Sequence, residues 1–199
     1  MRRPLIVILP LLLFSFACDS GSVLEPVDVE PEMHRWHGDG GTRTWSVPFI
    51  SKFSVWDVSD YTDTRCGGYP VFFLTMEGSG RATFLGKATT RMTFCCNVVT
   101  GEYWDTKGHF VAANGDSLFL EIPTGLIVPN EGRTSEYYQT RFDDDAVFVG
   151  GTGRFEGASG SWTTNAFVHD GEDEWRTDFF GRGMLKLQKE KKRRGRRRW

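Results

Sequence analysis

Eight short runs of strand-forming residues, separated by turn-forming residues, occupy positions 46–187 of this 199-residue chain. They are rich in Val, Phe, Thr, Tyr and Trp, the residues that strands favour. No stretch within the region repeats its apolar residues at the helical period. The runs are 47–58, 69–78, 82–98, 108–114, 117–128, 135–149, 154–168 and 174–187. The pattern therefore predicts an all-β domain.

The short connections between these runs favour antiparallel pairing. Asn114-Gly115-Asp116 lies between two apolar runs and is a strong hairpin signal, because Asn and Gly accept the positive φ of tight turns. About eight short strands in one domain are typical of a sandwich or a barrel. Eight strands just close into a barrel whose interior is filled by side chains or holds one small ligand. Spacing alone does not separate the two architectures.

The segment FVGGTGRFEGASGSW, residues 148–162, places five glycines within an otherwise strand-like stretch. Glycine inside a strand weakens it and usually marks a bulge, a bend or a close backbone approach. We expect Gly150, Gly151 and Gly153 to form a turn and bulge, and Gly157 and Gly160 to bend the next strand inward. A phosphate-binding backbone nest is disfavoured because no helix or P-loop lysine follows.

The first seventeen residues, MRRPLIVILPLLLFSFA, have the basic start, apolar run and small final residues of a secretory signal peptide. The apolar run is short for a membrane span, which needs about 20 residues. Cys18 follows in FSFAC, which resembles a bacterial lipobox, although Ser15 replaces the usual leucine. We expect Cys18 to be lipidated and the protein to be a membrane-anchored lipoprotein of the cell envelope. Cleavage after Ala17 and free secretion or periplasmic release is the alternative.

Three further cysteines, Cys66, Cys95 and Cys96, bear on disulfide formation. Export permits disulfides. Adjacent residues of a strand point to opposite faces, so Cys66 can reach either Cys95 or Cys96 but not both. We therefore expect one disulfide and one buried thiol among them if Cys18 is lipidated.

Charge is distributed very unevenly, although the formal net charge is only −2. Residues 186–199 contain nine Lys/Arg against one Glu, whereas residues 18–185 contain thirteen basic and twenty-five acidic residues. We expect a basic disordered tail at 188–199, because runs of like charge are usually solvated. Such a tail could instead contact anionic lipid or the acidic body. Nucleic acid is not an expected partner of an exported protein.

Residues 18–45 lack a sustained period and are rich in Asp, Glu, Pro and Gly, which indicates a flexible tether before a barrel domain at 46–187. His34 and His37 in this tether form an H-x-x-H pair, but a metal site would need a further ligand and a rigid scaffold. We expect neither a metal nor a cofactor.

Acidic residues supply the remaining chemical candidates. Asp143, Asp144 and Asp145 could offer oxygen ligands to calcium, but consecutive strand residues alternate faces, which favours a solvated acidic rim. Glu77 and Glu121 are candidates for polar groups facing the barrel lumen, where burial would raise the pKa of a carboxyl and suit it to acid–base work. No catalytic triad order, zinc spacing or nucleotide fingerprint is present.

Three segments together resemble a group of exported bacterial proteins of unknown function, which is similar to the allene oxide cyclase and dirigent-type β-barrels. They are GSGRATFLGKATT (78–90), FVAANGDSLFLE (110–121) and FVGGTGRFEGASGSW (148–162), and VPFISKFSVWDV (47–58) resembles the opening strand. The resemblance covers residues 46–187 and implies a closed barrel. Phe84 replaces a histidine often found in that group's T-H-L-G stretch, so any role of that imidazole is absent here. The cyclase activity does not carry over residue by residue.

Two functions from different classes follow. The first is a non-catalytic barrel, anchored to the membrane through its N-terminal lipid, that binds a small apolar ligand or an envelope partner. The alternative is a cofactor-free isomerase or cyclase acting in an apolar lumen, and fold analogy is a weak warrant for it. Binding is favoured over catalysis because the sequence shows no reactive set.

Overall fold

The computed structural model describes residues 43–131, 137–171 and 174–189. This part of the chain folds into nine strands and a single 3₁₀ turn, with no α-helix. The strands are β1 (Arg43–Asp57), β2 (Val71–Ala82), β3 (Gly86–Asn97), β4 (Glu102–Ala112), β5 (Ser117–Leu126), β6 (Val128–Pro129), β7 (Thr140–Gly151), β8 (Ser159–Asp170) and β9 (Trp175–Lys189), and the 3₁₀ turn is Gly153–Phe155.

All strand pairs are antiparallel, and the sheet closes on itself. Its order is β5-β4-β3-β2-β1-β9-β8-β7-β6, and β5 also pairs with β7. Eight long strands therefore form a closed barrel, while the two-residue β6 is an extra strand beside β7. Closure leaves no free edge among the long strands, which removes the risk of edge-to-edge aggregation. The prediction of a single antiparallel barrel of about eight strands is confirmed.

Alternation along each strand sends one set of side chains into the barrel. In β1, for example, Phe49, Ser51, Phe53 and Val55 are buried, and the residues between them are more exposed. The inward side chains of all eight long strands form one core cluster. Fully buried Phe155, from the 3₁₀ turn between β7 and β8, joins this core at one end of the barrel.

The glycine-rich segment shapes that same end. Gly150 has a φ of 121° and lies where the β5–β7 register shifts, which makes it part of a bulge at the end of β7. Gly151 is the last residue of β7, and Gly153 begins the 3₁₀ turn. Gly157 precedes β8, and Gly160 lies inside β8 with a φ of 127°. At Gly160 a Cβ would collide with the Met184 carbonyl, so the close β8–β9 contact requires glycine.

Several strand ends differ from the sequence-based boundaries. β1 begins at Arg43, within the expected tether, and β9 continues to Lys189, past the expected start of the tail. β4 begins at Glu102 rather than at 108, because EYWDTK alternates charged outward residues with inward ones and contains a bulge. Expectations for residues 1–42 and 190–199, among them the signal peptide, Cys18, the His34–His37 pair and most of the basic tail, lie outside the described residues.

Candidate functional site

A layer of aromatic rings divides the interior of the barrel. Trp162 stacks on Phe148 with ring centroids 5.3 Å apart and meets Phe49 and Phe110 edge-on at 6.0 and 5.8 Å. All four side chains are almost completely buried. On one side of this layer the core continues to Leu85, Phe155 and other buried side chains, so we name that side the closed end.

On the other side of Trp162, a cavity of about 70 Å³ lies between the strands. This is the open end, where β1, β3, β5 and β8 finish and β2, β4, β7 and β9 begin. The lining is almost entirely apolar and aromatic, and its polar members are one carboxyl and two threonines. The lining residues are Val55, Leu74, Met76, Met92, Phe94, Ile122, Ile127, Phe142, Asp144, Trp162, Thr164, Val168, Trp175, Thr177 and Phe179.

Asp144 is the only charged residue among the described residues that line this cavity. It lies on β7 between the inward-facing Phe142 and Ala146, and it is 3% exposed. Neither carboxylate oxygen has a hydrogen-bond partner among the described residues. Thr164 pairs with Asp144 across β7 and β8, and its hydroxyl is likewise buried without a partner there. A buried carboxyl without donors is costly to keep ionised.

Burial raises the pKa of the Asp144 carboxyl from 3.8 to about 6. The Tyr103 hydroxyl lowers it in part, whereas the negative charges of Asp143 and Asp145 raise it further. The Tyr103 hydroxyl lies close enough to Asp144 to affect its titration, although the two groups do not reach hydrogen-bond geometry. Burial and this carboxyl raise the pKa of Tyr103 far above its ordinary value, so the phenol stays neutral at physiological pH.

A bulge in β4 brings Tyr103 to the interior. Asp105 has a left-handed φ of 54° and adds one residue to β4 relative to β3, so that Tyr103 and Thr106, three residues apart, both face inward and are buried. The Tyr103 ring packs between Phe94 and Phe142, with centroids 5.5 and 5.7 Å away. Both of these rings line the cavity, so Tyr103 supports its wall.

Gly125 on β5 makes room for this arrangement. It pairs with Tyr103 across β4 and β5, and a methyl group at this position would overlap the Tyr103 ring and approach the Asp144 carboxyl. The absence of a side chain at residue 125 is therefore a steric condition for placing the phenol beside the carboxyl.

Cys96 is the buried free thiol, and Cys66 is bonded to Cys95. Cys95 faces outward on β3, whereas Cys96 faces inward and pairs with Tyr103 across β3 and β4. Alternation of faces along β3 thus produces one bridge and one thiol. Burial raises the pKa of Cys96 to about 11, so the thiol is neutral and a poor nucleophile at physiological pH.

The two glutamates expected in the lumen lie outside it, which corrects that prediction. Glu77 on β2 accepts a 2.7 Å hydrogen bond from Arg91 at the surface. Glu121 on β5 lies between the buried Leu120 and Ile122 and therefore points outward, opposite Lys107. In each strand the apolar neighbours occupy the inward positions, and alternation then places the glutamate on the outer face.

The acidic triplet corrects a second expectation. Asp143 and Asp145 do face the surface, where Asn165 and Arg141 donate to Asp143 and Thr163 donates to Asp145. Asp144 is not part of a solvated rim, because the same alternation that exposes its neighbours turns it into the lumen. No group of three or more His, Cys, Asp or Glu among the described residues is placed to hold a metal ion.

A larger polar cluster lies on the outer wall and is internally satisfied. Ser54, Tyr138 and Arg176 all donate to the Asp178 carboxylate, Tyr138 at 2.6 Å and Arg176 at 3.0 Å. Burial would raise the pKa of Asp178, but these hydrogen bonds outweigh it and hold the pKa below its ordinary value. Because all three donors are hydrogen-bonded to Asp178, the cluster links β1, β9 and Tyr138.

An outer depression of about 880 Å³ crosses the wall near Lys52, Arg81, Asp143, Phe180 and Arg182. It is larger than the lumen cavity, but the carboxylate on it, Asp143, already has surface partners. The lumen is the stronger candidate because it presents an unpartnered polar group in an apolar enclosure, the combination typical of ligand sites.

Comparison of the chain with protein-family models, curated proteins and solved structures finds no match. Within the part of the chain that the structure describes, no helix is long and apolar enough to cross a membrane.

Proposed function

We propose that this protein binds a small, largely apolar molecule at the open end of its barrel. The observation that carries the proposal is the apolar cavity beyond Trp162 with the unpartnered Asp144 carboxyl in its wall. Binding pockets are typically apolar with a few placed polar groups. The closed end is packed with side chains, so a ligand enters from the open end.

The size of the cavity limits what it holds. Its volume of about 70 Å³ is well below the roughly 300–1,000 Å³ of sites that enclose a drug-sized ligand. The ligand is therefore either very small or inserts one terminal group while its remainder lies among the loops of the open end. Half-buried lining residues such as Phe94, Phe142 and Trp175 are the side chains that would contact that remainder.

The location proposed for this activity is the cell envelope. It rests on the signal-like N-terminus and on Cys18 in its lipobox-like context, which would tether the barrel to a membrane through lipid. A barrel held at a membrane would meet apolar molecules at high local concentration. The resemblance to exported proteins that are similar to allene oxide cyclase and dirigent-type barrels supports the same setting, and the basic C-terminal residues would add attraction to anionic lipid.

A second candidate function is cofactor-free proton transfer on a bound ligand, as in an isomerase or cyclase. The observation that favours it is also Asp144, because a general acid or base works best when its pKa lies near the operating pH, and burial raises the pKa of Asp144 to about 6. The outward positions of Glu77 and Glu121 remove the carboxylates first considered for this role. Binding is preferred because the groups that accompany Asp144, the neutral Tyr103 phenol and the neutral Cys96 thiol, give little support for a catalytic mechanism.

Native mass spectrometry of the full chain after incubation with a lipid and metabolite extract tests the binding proposal. We expect a discrete adduct that the variant Thr164→Ile loses, because the larger apolar side chain fills the cavity opposite Asp144. Thr163→Ile is the matched control, since Thr163 is the adjacent residue on the outer face. An adduct retained equally by both variants would place the ligand elsewhere, and a bare protein mass would contradict the proposal.

A further inference from the structure

We infer that the open-end cavity selects a primary amine carried on an apolar group, with the ammonium held against Asp144 and the surrounding aromatic rings. This inference rests on the proposed function and specifies the class of its ligand. Its basis is the geometry of the cavity: a carboxyl that is 97% buried, forms no hydrogen bond with a described residue although the Tyr103 hydroxyl lies beside it, and lines an aromatic enclosure.

The two oxygens of Asp144 favour a ligand that donates hydrogen bonds. Both oxygens of the Asp144 carboxylate accept and neither has a partner among the described residues. An ammonium brings three donors and no acceptor, so it can satisfy both oxygens and also donate to the hydroxyl of Thr164 or Tyr103. An alcohol has a single donor and no charge, so it would leave the buried charge of the carboxylate uncompensated.

The charges facing the cavity point the same way. Lys, Arg and His are all missing from the described residues that line it, so nothing there would neutralise a carboxylate or phosphate ligand. An anionic group would meet the Asp144 carboxylate directly. A cation instead forms a buried ion pair in which each charge compensates the other, the condition under which burial of charge is tolerated.

The aromatic lining adds a second attraction for a cation. Phe94, Phe142, Trp162, Trp175 and Phe179 all border the cavity. The face of an aromatic ring attracts an ammonium, most strongly for Trp and most strongly when water is excluded. A carboxylate within an aromatic enclosure is thus complementary to an alkylammonium in charge, in hydrogen bonding and in the apolar contact offered to its chain.

Because Asp144 titrates, the preference of the cavity for an amine depends on pH. The groups facing Asp144 from the neighbouring strands are Tyr103 on β4, which stays neutral, and beyond it Cys96 on β3, whose pKa is raised to about 11. On its own strand, Asp143 and Asp145 face the surface. Asp144 is therefore the group in the wall that ionises between pH 5 and pH 8, and amine binding requires it to be ionised.

Calorimetric titration of the full chain with n-hexylamine, n-hexanol and hexanoate at pH 5 and pH 7.5 tests the inference. We expect the amine to bind at least about tenfold more tightly than the alcohol at pH 7.5, as charge-assisted hydrogen bonds imply, and hexanoate to bind least. Amine affinity should rise about tenfold from pH 5 to pH 7.5 as Asp144 ionises, whereas alcohol affinity should not rise.

The variant Asp144→Asn keeps the shape of the side chain and removes its charge. It should lose the preference for amine over alcohol and the pH dependence together, whereas Asp145→Asn, which removes a neighbouring charge on the outer face, should keep both. Alcohol or hexanoate binding as tightly as the amine would overturn the inference and leave the proposed function standing. No binding of any of the three compounds would count against the proposed function itself.

Discussion

At the scale of single residues, the buried carboxyl of Asp144 is a destabilising feature of this barrel. Its carboxyl is buried among aromatic and aliphatic side chains, and neither of its oxygens forms a hydrogen bond with a described residue, although the Tyr103 hydroxyl lies beside it. Stability alone would favour an apolar residue there, because an unpaired buried polar group destabilises a fold by about 1–3 kcal/mol. Strongly perturbed carboxyls in clefts are candidates for function for this reason.

The variant Asp144→Asn should be more stable than the wild-type protein near neutral pH. Burial raises the pKa of this carboxyl from 3.8 to about 6, so the folded state holds an extra proton between these two pH values. The stability from this group is therefore present below pH 4, falls as the pH rises to 6 and stays low above it. The gain of the variant should grow over this range to at most about 3 kcal/mol, measured by urea unfolding from pH 4 to pH 8.

Asp145→Asn is the matched control for that measurement, because it removes a carboxyl from the same strand on the outer face. We expect its pH-dependent gain to be smaller than that of Asp144→Asn, since Asp145 is exposed, accepts a 2.8 Å hydrogen bond from Thr163, and only adds its charge to the burial that raises the pKa of Asp144. An Asp144→Asn variant that is less stable than wild type at pH 7.5, or whose gain is the same at pH 4, would show that Asp144 is not buried in ionised form.

At the scale of elements, the connection between β1 and β2 is the longest described loop, and a disulfide fixes it. Cys66 in this loop is bonded to Cys95 on the outer face of β3, 29 residues further along the chain. The same loop carries Tyr61, whose ring packs edge-on against Phe72 at the start of β2. The disulfide thus holds the loop beside the open end of the lumen.

Removing this disulfide with the double variant Cys66→Ser and Cys95→Ser should lower the free energy of unfolding by about 3.6 kcal/mol, the value expected for a closed loop of this length. Denaturant unfolding with and without reductant provides the measurement. Reductant should destabilise the wild type and Cys96→Ala by a similar amount and leave the double variant unaffected. Equal stability of wild type and double variant under oxidising conditions would contradict a structural role for the bridge.

At the scale of the whole molecule, eight closed strands give a barrel with two unlike ends. Aromatic packing around Trp162 and the 3₁₀ turn that buries Phe155 fill the closed end, while the cavity with Asp144 lies at the open end. Large aromatic side chains, among them Phe49, Phe110, Phe148 and Trp162, fill much of the lumen and leave the cavity of about 70 Å³.

The sequence predicted the architecture well because strand runs and turn residues are local signals. The eight runs and the Asn114–Asp116 hairpin predict an antiparallel sandwich or barrel, and the resemblance of residues 46–187 to exported barrel proteins selects the barrel. The lumen could not be predicted in the same way, because a shift of one residue reverses every side chain of a strand. Glu77 and Glu121 are lumen candidates from the sequence but lie outside it, and Asp144, which the sequence assigns to a solvated rim with its neighbours, lies inside. Alternation through the apolar Phe142, Ala146 and Phe148 was the signal that would have found it.

The inward position of Tyr103 could not be predicted from the sequence, for a different reason. That position depends on the bulge at Asp105, which changes the phase of β4, and on the bare Gly125 across the strand pair. No local sequence pattern predicts an aspartate with a left-handed φ inside a strand. The Cys66–Cys95 bridge was one of two pairings that alternation allowed, and only the three-dimensional position of the loop distinguishes them.

The central claim, that the open end of the lumen admits a small apolar molecule, is tested most directly by NMR of methionine methyl groups in the full chain. Met76 and Met92 line the cavity, whereas Met184 is exposed on the outer wall. Titration with n-hexylamine at pH 7.5 should shift the methyl signals of Met76 and Met92 in a saturable manner and leave that of Met184 in place. Shifts confined to Met184, or no saturable shift of the two lumen methionines, would contradict the account.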